Sequence, residues 1–232
     1  MKNQFLIFAL SALCLTSCIN AKVTPLSNHD LITMKGKAVA IVRTEKPSFS
    51  AATPGSMMMI SSLTGGIAGY IGRYINMTYK GNKIVRDNEI EDPAFLTSSN
   101  LAKYLRTNFD AKVIDEKIIT KISDLGELAD QYKDSADYIL NVKTVNWAII
   151  YLRFNTNHYR VIYSSRLELI DVRTKKIIAE SPCYKNPSAR EVENPPTYDA
   201  LLYEKAKILK EELVVGANAC SDLFERVVFL KK

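Results

Sequence analysis

The sequence is poor in histidine. Only His29 and His158 occur in 232 residues, which argues against a multi-histidine metal site and most imidazole catalysis. Neither an H-E-x-x-H pattern nor a cysteine cluster is present, so no metal and no cofactor are expected. G-x-S-x-G is missing, His29 sits in a tether that cannot hold it rigidly, and His158 begins a strand beside a turn, where it caps or pairs on the surface. Long runs of like charge are absent too. Basic residues adjoin only in pairs such as Lys175-Lys176 and Lys231-Lys232, which argues against nucleic acid as a partner. Carboxylate pairs such as Glu89 with Glu91 and Glu211 with Glu212 sit too close in sequence to face each other on a helix, and read as solvated surface. The chain is therefore expected not to be an enzyme. Tryptophan occurs once, glycine nine times and cysteine four times.

What is present is enough for one core. Apolar residues make up 47% and charged residues 24%, so global disorder is excluded. Lys2 precedes an apolar run from Phe5 to Leu15 that is too short to span a bilayer and has the layout of a secretory signal. Leu15-Thr16-Ser17-Cys18 closes it. This end resembles the lipobox of bacterial lipoproteins. The resemblance implies cleavage before Cys18 and acylation of Cys18, with several acyl chains holding the protein firmly. Ile19 stands where inner-membrane lipoproteins often carry Asp, so the resemblance favours the periplasmic face of the outer membrane. Cleavage would leave 30 basic against 25 acidic residues, a balance of +5.

Cys14 leaves with the signal and Cys18 takes lipid. Cys183 and Cys220 remain, 37 positions apart. In an oxidising periplasm they are expected to pair, worth about 4 kcal/mol in the chain-entropy model. The domain reading is a signal over 1–17, a lipidated cysteine and polar tether over 18–35, and one domain over 36–232.

Residues 38–44 read as a buried strand. Asp92-Pro93 opens a helix, with Asp as cap and Pro in the first turn; Phe95, Leu96, Leu101, Leu105 and Phe109 give it an apolar face. A strand over 111–115 and a helix over about 124–134 follow. Residues 137–153 and 158–172 are long β-rich runs separated by the turn chemistry of Asn155-Thr156-Asn157, and a third strand spans 175–181. Leu202, Ala206, Leu209, Leu213, Cys220, Phe224 and Val227 mark a terminal helix, with a kink expected at Gly216. The fold class is α/β (α+β): a mixed β-sheet with the order β-α-β-α-β-β-β-α and helices packed on it. This order resembles the periplasmic α/β domain of the curli-secretion lipoprotein CsgG and the amino-terminal domain of TolB. Asn82–Asn88, Thr144–Trp147 and Asn157–Tyr163 resemble blocks of uncharacterised proteobacterial lipoproteins, which supports an envelope address and implies no activity.

Two features invite a contact. Residues 57–77 form an apolar, glycine-rich insertion: Met57, Met58 and Met59, then Gly65, Gly66, Gly69 and Gly72. The spacing is neither a dinucleotide fingerprint nor a phosphate loop. Gly65 and Gly69 form G-x-x-x-G, which lets helices approach closely. The segment either packs on its own domain, contacts a partner or membrane surface, or enters the bilayer. The second feature is aromatic: Trp147, Ile149 and Tyr151 share one face of a strand, and Tyr159, Val161 and Tyr163 one face of the next. They pack under a helix or form an exposed binding patch. Together these features indicate a non-enzymatic accessory or protein-binding component of the cell envelope, joined to a protein partner or to copies of itself. The alternatives are a subunit of an oligomeric export pore and a periplasmic enzyme.

Overall fold

A computed structural model describes residues 22–53, 67–122, 124–152, 155–187 and 194–230, and within 67–74 the backbone alone. Cys18, Met57, Met58, Met59, Gly65 and Gly66 lie outside the described residues. The core is a seven-stranded mixed sheet. β1 (Ala38–Thr44) carries four consecutive buried residues, as a strand covered on both faces must. It runs parallel to β3 (Lys112–Ile114) on one side and to β5 (Tyr138–Leu152) on the other. β5, β6 (Asn155–Asp171) and β7 (Lys176–Lys185) form an antiparallel meander. Two short strands complete the sheet: β2 (Ser50–Ala51) beside β5 and β4 (Ile119–Thr120) beside β1. The expected order is all present. The turn residues Asn155-Thr156-Asn157 already belong to β6, because the ladder with β5 resumes at Asn155.

Two long helices cover one face. α3 (Pro93–Phe109) begins as expected, the Asp92 carboxylate accepting from Ala94 N–H at 3.0 Å. Its buried side is Ala94, Thr97, Ser98, Leu101 and Leu105, with Phe95 and Leu96 only half-buried. The small residues turn inward because α5 (Tyr198–Phe224) crosses close by, where Thr97 Oγ1 donates to the Ala217 carbonyl at 3.2 Å. The kink expected at Gly216 lies instead at Tyr203–Ala206, where Glu204, Lys205 and Ala206 have positive φ. Gly216 stays helical and makes room for Tyr163, whose ring would lie 3.2 Å from an added Cβ. Cys183 of β7 and Cys220 of α5 form a disulfide, their Cα atoms 5.5 Å apart, and both are buried. α5 ends in a π turn, Glu225–Phe229, which carries Val227 off the helical stripe. On the other face α4 (Leu125–Tyr132) seats Leu128 and Tyr132 over Ala40, Ile139 and Ile170.

From residue 22 onward the expected tether is part of the body. Thr24 exchanges two backbone hydrogen bonds with Glu180 of β7, at 2.8 and 2.9 Å, and Leu26 N–H donates to the Val228 carbonyl at 3.1 Å. Leu26 and Met34 are buried and flank α1 (Asn28–Thr33). Apolar anchors at these two positions outweigh the polar composition around them.

α2 (Ile67–Asp87) takes up the second half of the glycine-rich insertion and runs ten residues past its expected end. It docks through its carboxyl-terminal half. A Cβ on Gly81 would lie 2.0 Å from the Phe49 carbonyl oxygen, so helix backbone and chain backbone are in direct contact there. Gly69 and Gly72 lie in its first two turns.

Candidate functional site

The hairpin register pairs Trp147 with Tyr163, Ile149 with Val161 and Tyr151 with Tyr159, so the two aromatic faces do match. They are not an exposed patch. Trp147, Tyr159 and Tyr163 are each 1% exposed, and Tyr151 packs half-buried against the same core. Elements remote in sequence cover them: Phe49 meets Trp147 edge-on at 5.0 Å, Tyr198 lies 5.5 Å from Tyr159, and Gly216 seats Tyr163. The cluster is core, and it fixes the walls of what lies beside it.

That neighbour is a gap in the sheet. β1 pairs with β5 up to Val42 opposite Asn141, and β2 resumes at Ser50 opposite Ala148. Between them residues 45–49 step out of the sheet. Trp147 Nε1–H holds the detour by donating to the Pro47 carbonyl at 2.8 Å. Asn82 of α2 accepts from Phe49 N–H at 3.0 Å and donates to Ser48 Oγ at 3.1 Å.

Among the described residues, two clefts border the detour and another lies across the 88–92 turn from it. The largest, about 780 Å³, lies between it and the 88–92 turn, over Phe95 and Trp147. Its cations are engaged. Both Asp115 oxygens accept from Arg43 Nη2 at 3.2 Å, and the guanidinium lies 4.9 Å from the Phe95 ring. Lys46 donates to the Ile90 carbonyl at 3.1 Å and sits 5.2 Å from the Trp147 ring. A second cleft, about 400 Å³, is mainly apolar and lies between α3 and α5, lined by Ile90, Pro93, Leu96, Leu213, Val214 and Ala217. Glu89, Ile90, Glu91 and Asp92 line both. The third, about 530 Å³, opens toward α4. On its floor the buried Glu168 carboxylate is held by Lys143 at 2.9 Å, Arg166 at 3.4 Å and Asn141 Nδ2 at 3.1 Å.

The ridge between the first two clefts is built in an unusual way. α2 closes with Ile90 N–H donating to the Val85 carbonyl at 2.9 Å and Glu89 N–H to the Arg86 carbonyl at 3.2 Å. This is the paired closure that normally places glycine at the left-handed position. Glu89 stands there, with φ 53°, at a cost of about 1–2 kcal/mol relative to an unstrained residue. Glu45, Glu89 and Glu91 are exposed and make no ion pair among the described residues. The 88–92 turn is thus acidic on a chain that is basic overall, with Lys210 of α5 on the far side of the second cleft. Within the turn Asp92 is 3% exposed. Burial pushes its carboxyl above the usual carboxylate range, against the opposing bonds from Thr144 and Ala94 and the charge of Lys46.

Reading the sequence placed Glu89 and Glu91 correctly on the surface and missed that they frame two clefts. The one available signal was the alternation Glu89-Ile90-Glu91, acid and apolar in turn. His158 pairs with Asn155 Oδ1 at 2.8 Å at the exposed start of β6. Among the described residues, no three His, Cys, Asp or Glu side chains are grouped to hold a metal ion, and no helix is long and apolar enough to cross a membrane.

No protein-family model and no curated protein matches the chain. Solved structures with a similar chain path include a PelC dodecamer from Paraburkholderia phytofirmans, 14% identical, covering 89% of this chain and 95% of that one with a TM-score of 0.38. The LpoB C-terminal domain from Salmonella enterica is 10% identical over 66% of this chain and 84% of that one, TM-score 0.31. The lipoprotein GNA1162 from Neisseria meningitidis is 10% identical over 68% and 88%, TM-score 0.27. At these TM-scores the likeness is partial, and no role is taken from it.

Proposed function

We propose that this chain is a non-enzymatic, lipid-anchored protein of the periplasmic face of the outer membrane, and that it binds a partner polypeptide across the 88–92 ridge. The observation that carries the binding role is Glu89, which holds a glycine position at an energetic cost and thereby presents a carboxylate between a polar and an apolar cleft. Strained backbone of this kind clusters at binding and switch sites. The partner segment suited to this ridge is basic, with an apolar side chain for the groove beside Leu213 and Val214. The Cys183–Cys220 disulfide supports the oxidising compartment, and the lipobox ending at Cys18 supports the anchor.

Cys18→Ala is expected to leave the protein unprocessed or to release it from the membrane fraction. A processed variant that stays membrane-bound at high salt overturns the anchor. A photo-crosslinking residue at Val214 is expected to trap one discrete partner in cells, and one at Lys133, remote from the ridge, to trap none; equal labelling from both sites overturns the binding face. The size of the detergent-extracted protein separates this reading from an export pore, since a monomer or dimer is not a pore.

A further inference from the structure

The same anchor constrains how the body sits. Cys18 precedes Lys22 by four residues, and four residues span at most about 14 Å however they run. A domain of about 200 residues has a radius of about 20 Å. The anchor is therefore shorter than the body it carries, and only the surface around the point of entry is able to face the lipid.

That surface is defined by the strap. Residues 22–26 lie along β7 and reach the π turn, with Thr24 on Glu180 and Leu26 on Val228. Three large apolar side chains are exposed here: Val23 just before the Thr24 pairing, Ile32 on α1, and Leu230 two residues beyond Val228, at 50%, 75% and 51% exposure. Lys22, Lys35 and Arg226 are exposed on the same elements, Lys22 lying 3.9 Å from the Glu180 carboxylate and Arg226 following Asp222 and Glu225. The nearby Asp30 carboxylate accepts from the Ser27 hydroxyl and keeps its negative charge. Exposed apolar side chains at the foot of a short tether, within a surface of mixed charge, suit the interface of a bilayer.

Resting on the lipid-anchor reading above, we infer that the face formed by the strap, α1 and the end of the π turn lies on the membrane, with Val23, Ile32 and Leu230 seated among the lipid headgroups.

The test uses the full lipidated chain with a nitroxide on Val23→Cys, Ile32→Cys or Leu230→Cys, the native disulfide left oxidised. Val145→Cys, exposed on β5 near the detour, is the reference. Each protein is examined in detergent and in vesicles of phosphatidylethanolamine with a minority of phosphatidylglycerol. On reconstitution the ratio of oxygen to nickel-chelate accessibility is expected to rise several-fold at 23, 32 and 230 and to stay constant at 145. No rise at the three sites, or an equal rise at 145, overturns the orientation. The mass of the amino-terminal peptide from the same sample separates two failures. Acylated Cys18 with unchanged labels refutes this face alone. Unacylated Cys18 refutes the anchor, and the orientation with it.

Discussion

Asp92 does two things that conflict. As the cap of α3 it accepts from Ala94 N–H and from Thr144 Oγ1, and an acceptor is all the cap requires. Its charge is buried, which raises its pKa in the folded protein. The contribution of a carboxyl so shifted is fully present below its unfolded value, about 4, and is lost as the pH rises through the folded value. Asp92→Asn keeps the acceptor and has no charge to bury. It is expected to gain on the wild type as the pH rises from about 4 to about 7, measured by urea unfolding at both. Asp92→Ala removes the acceptor and should cost about 1–2 kcal/mol. Glu89 offers the opposite trade. Glu89→Gly relieves the left-handed backbone, so the fold is expected to be unchanged or up to about 1 kcal/mol more stable while trapping at Val214 falls. Lost trapping together with lost stability would show a structural role instead. The Asp92-Pro93 start was legible in sequence because a helix cap is local chemistry. The burial of that carboxylate was not, because Thr144 comes from a strand 52 positions away.

At the scale of elements, the glycine that matters for α2 is not in the cluster that draws the eye. Gly69 and Gly72 lie in its first two turns, whereas Gly81 is the point where its backbone meets Phe49. Gly81→Ala forces a backbone to move, and no rotamer relieves it. A loss of about 1–3 kcal/mol or more is expected, beyond the gain of about 1 kcal/mol in helix propensity. Gly216→Ala meets the Cβ and ring of the buried Tyr163 at 3.2 Å, a contact that a shift of a few tenths of an ångström relieves, and should cost less than Gly81→Ala. Thermal midpoints of the two variants test that order. Strand periodicity grouped Trp147 with Tyr151 and Tyr159 with Tyr163, two groups that the hairpin register brings together on one face. It could not say what covers that face, since Phe49, Tyr198 and Gly216 are distant in sequence. The disulfide was legible from compartment and count. Reducing it is expected to cost about 4 kcal/mol and to lower the thermal midpoint by about 10 °C, as calorimetry with and without reductant will show.

For the molecule as a whole, two of the clefts arise where the chain leaves the sheet between Thr44 and Ser50 and the apolar one where α5 crosses α3, tertiary events that no local pattern announces. The strap was equally hidden, because its apolar residues, Val23, Leu26, Leu31, Ile32 and Met34, follow no clear period and only Leu26 and Met34 are buried. It also has a mechanical meaning. If Cys18 is held in lipid while a partner pulls at the ridge, tension enters the body at Thr24 and passes to β7. There the Cys183–Cys220 bond carries it across to α5. The load path thus includes a covalent link between the strand at the point of attachment and the helix that walls the apolar cleft. A reduced protein under the same pull would have only noncovalent packing at that joint.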